Sequence, residues 1–160
     1  MRILRKLFLL KLLFLILFTP SLLRAQSSSI DAFAVAIAKA EGYYLKGSIP
    51  NRYRNPGDIK VRRGEKYFGQ VRVGKGGHIV FRNDAAGWFA LREQLRKIVE
   101  GESRFYTPQM TLRHVAQKYA GSYRVWAKNV SHDLGVNPNT TIAELFGIPP
   151  QFDPRWVGAR

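Results

Sequence analysis

Starting at Ile30, the apolar positions Ile30, Phe33, Ala34, Ile37 and Ala38 fall at i, i+3, i+4, i+7 and i+8, the single stripe of an amphipathic helix. The next member of that series is Glu41, so the carboxylate near the helix end belongs to the inward face. Serines before Ile30 supply a cap, Asp31 suits the positive end of the helix, and Gly42 supplies its stop. A loop rich in Tyr, Gly, Pro and Arg covers Tyr43 to Arg54, and Pro56-Gly57 fits the centre of a type II turn between Asn55 and Asp58. From Ile59 to Phe81 the period changes to two, and turn signals at Arg63-Gly64-Glu65 and Gly74 to Gly77 divide it into a three-stranded antiparallel meander. The glycines of the second turn lack the Gly-Lys-Ser/Thr ending and open no helix, which makes them a hairpin turn and not a phosphate loop.

The period then returns to 3.6. Asn83 or Asp84 caps a helix to about Glu100, with Trp88, Leu91, Leu95, Ile98 and Val99 inside. A helix from Thr111 ends at Gly121, another covers Tyr123 to Leu134, and Thr141 with Glu144 forms a capping box for a short last helix through Phe146. The predicted class is α+β, predominantly helical, with a small three-stranded hairpin region.

The two ends of the chain read differently. Arg2, Arg5 and Lys6 precede an apolar run from Leu7 to Phe18, and Leu23-Arg24-Ala25 offers a cleavage site. Residues 1–25 therefore read as a secretory signal peptide, residues 26–150 as one domain and residues 151–160 as a basic tail. The apolar run is short for a membrane span and contains Lys11, which favours cleavage over retention as an anchor, so no stable span is expected afterwards. The destination is periplasmic or secreted. Formal net charge is +15, and five of the 26 basic residues lie in the leader, leaving 21 against 11 acids. That field suits an anionic partner: nucleic acid, an acidic membrane surface or a cell-wall polymer. Export and the lack of any nucleic-acid reader motif argue against nucleic acid.

Composition removes several chemistries. Without cysteine there is no thiol nucleophile, no thiolate metal site and no lipoprotein attachment. His78, His114 and His132 form no His-x-x-x-His or His-Glu pair, so neither a metal nor another cofactor is expected. No Gly-x-Ser-x-Gly elbow is present. What remains is Glu41. Partial burial and the negative end of the helix dipole both disfavour its charged form and keep a proton on it near neutral pH. A general acid in glycoside hydrolysis has that requirement. The plainer reading of a glutamate at a helix end is a side chain bent out to water, and the neighbouring residues decide between the two.

The helix ending in Ala40-Glu41-Gly42, the loop after it and Asn55-Pro56-Gly57 together resemble the lysozyme-like superfamily, in particular phage-type lysozymes and secreted domains related to lytic transglycosylases. The resemblance runs from Ile30 to about Pro150. It implies a cleft between hairpin and helices, Glu41 as catalytic acid, and cleavage of the β-1,4 bond between N-acetylmuramic acid and N-acetylglucosamine in peptidoglycan. It places Asn55 in the cleft wall beside the acid and makes Tyr119, in Tyr119-Ala120-Gly121, similar to a tyrosine that lytic transglycosylases set opposite the acid. Asp58 stands where relatives carry Asn. Arg54 and Tyr53 complete the expected substrate-binding set, with Tyr43, Tyr44 and Tyr53 able either to stack on sugars or to pack the loop. A two-carboxylate mechanism would draw its second acid from Asp58, Glu65 or Asp84. Without one, a single-acid route fits, in which the sugar's own hydroxyl attacks. Two other classes stay open: a non-catalytic cell-wall binding protein on the same fold, and an exported basic protein acting on membranes or acidic polymers. Oligomeric state is not legible.

Overall fold

The computed structural model describes residues 29–62 and 64–149. The expected leader (1–25) and tail (151–160) lie outside them. Helix α1 occupies residues 29–40 and buries Phe33, Ala34, Ile37 and Ala38, together with Ala36. Its end is a Schellman closure. The Tyr43 amide donates to Ala38 O (2.9 Å), the Gly42 amide donates to Lys39 O (3.0 Å), and Gly42 takes φ 73°. Glu41 is therefore the last residue before the left-handed step, and the chain turns away immediately after it.

The loop contains one element that periodicity misses, a single helical turn α2 (Ile49–Arg52), with Ser48 as cap and Pro50 in its first turn. Strands β1 (Gln70–Val73) and β2 (Ile79–Phe81) form a two-stranded antiparallel hairpin, and a 3-10 turn at Lys75–Gly77 joins them. The expected third strand at Ile59 is not formed. Segment 59–61 meets β2 and the turn before it through the Ile79 amide on Ile59 O (2.9 Å), the Val61 amide on Gly77 O (2.9 Å) and an isolated bridge between Lys60 and His78. Two causes stop the pairing. The Asn55 side chain takes the Ile59 amide and shares its carbonyl. Beyond Val61, Arg62 leaves the sheet and stacks its guanidinium 4.3 Å over the Phe105 ring.

The Asn55–Asp58 reversal also departs from the expected turn. The Asp58 amide does close on Asn55 O (2.9 Å), yet Gly57 is not at positive φ and Asp58 is, at 45°. Glycine is needed at 57 for space: a Cβ there would stand 2.8 Å from Leu91 and 3.0 Å from the Tyr119 hydroxyl.

Helix α3 (Asp84–Val99), capped by Asn83, is the central element and buries Leu91, Leu95, Ile98 and Val99. Trp88, expected inside, is only half-buried and sits edge-on to Tyr43, their centroids 5.6 Å apart. Helices α4 (Leu112–Tyr119) and α5 (Tyr123–Asp133) pack as a pair against the same core, and α6 (Ile142–Leu145) carries the capping box of Thr141 and Glu144. None of the helices among the described residues is long and apolar enough to cross a membrane.

Candidate active site

The buried stripe of α1 brings Glu41 to the floor of a groove of about 450 Å³. The far wall comes from α4, α5 and the turn between them: Tyr119, Ala120, Ser122, Trp126 and Asn129. The near wall comes from Asp58 to Lys60 and Arg62. Trp126, buried in the core face of α5, points its indole Nε1–H at Glu41 Oε1, 2.7 Å away. The tilted ring of Tyr119 lies against it at 5.3 Å. Glu41 is thus half-buried, with one oxygen held by the indole, and it lines the groove.

Burial, the largest effect, raises the Glu41 pKa from 4.5 to about 7, against the Trp126 hydrogen bond, which lowers it; the Asp58 charge raises it and Lys60 lowers it. When the acid is neutral, Oε1 accepts from the indole as a carbonyl oxygen does, which leaves the proton to Oε2. A carboxyl group so held can donate its proton from a fixed orientation.

Asp58 is the second carboxylate of the groove. Its Oδ1 lies 2.7 Å from His78 Nδ1. Both atoms are sealed from solvent and neither makes a well-formed hydrogen bond with any other described group, so a proton shared between them is the available means of satisfying both. Burial raises the Asp58 pKa and His78 opposes the rise. The other two candidate carboxylates are engaged elsewhere. Asp84 accepts a short hydrogen bond from the Tyr43 hydroxyl (2.5 Å), and Glu65 accepts from Tyr67 (2.8 Å) in a neighbouring hollow.

The expected substrate-binding residues divide. Asp58 and Tyr119 line the groove. The Tyr119 hydroxyl donates to Gly57 O, and burial pushes its pKa well above 10. Asn55 is placed behind the wall, 0% exposed, with Nδ2 donating to Ile59 O and Ile79 O (both 2.9 Å) and Oδ1 accepting from the Ile59 amide (2.8 Å). It fixes the backbone that carries Asp58 and does not itself line the groove. Arg54, at φ 54°, points to Arg82 O, and Tyr53 packs on the hairpin under Arg72, its hydroxyl accepting from the Lys75 amide (3.2 Å). Neither lines the groove.

Trp126, His78, Lys60 and Lys118 are among the groove or support residues not singled out from sequence. In the sequence Trp126 is simply an apolar position on the helix from Tyr123, and His78 a histidine without a metal-ligand partner. Comparison with known proteins finds no matching protein family, no similar curated protein and no similar solved structure.

Proposed function

We propose that this protein is a peptidoglycan-cleaving glycosidase of lysozyme-like type, acting on the β-1,4 bond between N-acetylmuramic acid and N-acetylglucosamine, with Glu41 as the single general acid. The observation that carries this reading is the Glu41 carboxyl group in an open groove, its proton retained to about pH 7 and its orientation set by Trp126. Oε2 protonates the glycosidic oxygen as positive charge develops on the sugar ring, and the carboxylate left behind acts as base in the second half of the reaction. Asp58, in the near wall of the groove and paired with His78, stabilises that charge or orients water in this reading. If it does neither, the sugar's own hydroxyl attacks and an anhydro sugar is released. Lys60, Arg62 and Lys118 make the rim basic, which supports an anionic wall polymer as partner. Export through the N-terminal leader delivers the protein to that polymer.

A turbidity assay on purified peptidoglycan tests the reading. Wild type should clear the suspension and Glu41→Gln should not. Wild-type protein that sediments with the wall but clears nothing would make it a binding protein on this fold. Equal turnover by Asp58→Asn would remove Asp58 from the chemistry.

A further inference from the structure

We propose that the Glu41 groove is the first part of a longer path for a polysaccharide strand, which ends on an aromatic platform formed by Phe68 and Phe89. The proposal rests on the glycosidase reading for the identity of the strand. Two further hollows, of about 330 and 340 Å³, adjoin the groove. The first shares Arg62, Gln94 and Tyr106 with it, and the second shares Tyr67, Gln94 and Lys97 with the first. Gln94, on α3, lines all three. Its amide donates to the Tyr67 hydroxyl (2.8 Å), which donates to Glu65 (2.8 Å), so the floor between the hollows is a fixed run of polar groups.

At the far end stand two large rings left to water. Phe68 is 62% exposed and Phe89 is 49% exposed, in edge contact with centroids 5.6 Å apart. They are held in place. The Arg82 guanidinium lies 4.7 Å over Phe68. The next residue, Gly69, is pressed so closely on α3 that a Cβ would meet Ala86 at 2.5 Å, and its carbonyl accepts from the Arg82 amide (2.9 Å). Exposing such rings is unfavourable for the free protein, and a ligand that covers them recovers that free energy.

The chemistry selects the ligand. A pyranose offers an apolar face of C–H groups and a rim of hydroxyls, which matches rings flanked by amide, phenol, carboxylate and ammonium groups. A lipid surface or an apolar helix would strip water from Glu65, Glu93 and Lys97 and offer their charged groups no new hydrogen bond in its place. Continuity with the groove through Gln94 makes the strand already lying over Glu41 the occupant.

The test uses Phe68→Ala/Phe89→Ala, made in wild type and in Glu41→Gln, with melting temperature as a check on folding. The probes are a tetrasaccharide and long glycan strands prepared from peptidoglycan. In Glu41→Gln, which needs only to bind, the double substitution should weaken the affinity for long strands about tenfold, ~1.4 kcal/mol. Binding of the tetrasaccharide should not change, and tyrosine at both positions should retain the affinity. In the cleaving protein KM for long strands should rise while kcat holds. Unchanged affinity for long strands would overturn the platform, as would a wild-type dimer that the double variant loses. Long-strand binding that depends on both rings in a protein that cleaves nothing would support the platform and sink the catalytic role of Glu41. Cleavage unaffected by the double substitution would do the reverse.

Discussion

Replacing Glu41 with Gln keeps the shape of the side chain and an oxygen for the Trp126 indole to donate to, and removes only the ability to ionise. The stability of the two proteins should therefore differ in a pH-dependent way. Below about pH 4.5 the carboxyl group is protonated in both the folded and the unfolded chain, and ionisation contributes no difference. Between 4.5 and about 7 the unfolded chain releases its proton while the folded protein keeps it, so the stability of wild type falls as pH rises. Above about 7 the folded protein carries the buried charge and the loss is complete. A shift from 4.5 to about 7 corresponds to about 3 kcal/mol. Urea denaturation near pH 4 and near pH 8 measures it, because every other titrating group is common to both proteins and cancels. The unfolding free energy of Glu41→Gln minus that of wild type should grow by about 3 kcal/mol from the acid to the alkaline condition. A difference independent of pH would show Glu41 ionising as an ordinary surface carboxylate and would refute the reasoning.

Three further outcomes follow from the geometry. Trp126→Phe removes the hydrogen bond that holds the Glu41 pKa down, so the alkaline limb of any Glu41-dependent activity should move to higher pH in a pH–rate profile. Asn55→Ala should cost about 3–5 kcal/mol in urea denaturation, because it orphans the buried Ile59 amide and weakens the satisfaction of two carbonyls. Gly87→Ala should cost about 3 kcal/mol or more. A Cβ at position 87 would lie 1.9 Å from Arg54 O, and backbone cannot move aside as a side chain does; a melting temperature equal to wild type would contradict the close packing of α3 on that segment.

Elements whose signal is local were legible in the sequence. The stripe from Ile30 and the glycine at 42 fix where α1 ends and which face Glu41 occupies. Thr141 and Glu144 form their reciprocal cap three residues apart. Features that depend on distant partners were not legible. Trp126 reaches Glu41 from 85 positions away, and nothing in the α5 pattern distinguishes an indole that packs from one that also donates. Asn55 reads as a cleft residue in the turn, but the carbonyl of Ile79, 24 positions on, draws its amide into the core. The alternation at Ile59 and Val61 has the right period for a strand. It is cut short by a side chain that takes a backbone partner and by Arg62 finding Phe105, neither of which periodicity records. The turn α2 is too short to leave a period, although Ser48 and Pro50 mark its start.

The most direct measurement is the rate of clearing of purified peptidoglycan by wild type and by Glu41→Gln from acid to alkaline pH, with the released fragments weighed by mass spectrometry. A proton donor with a pKa of about 7 should give activity that holds below neutrality and falls as pH rises through about 7, none at any pH in Glu41→Gln, and fragments that show by a water-sized mass difference whether water or the sugar's own hydroxyl completed the reaction. Wild-type protein that releases no fragment at any pH, or Glu41→Gln protein that releases them at the wild-type rate, would contradict the assignment of Glu41 as the catalytic acid.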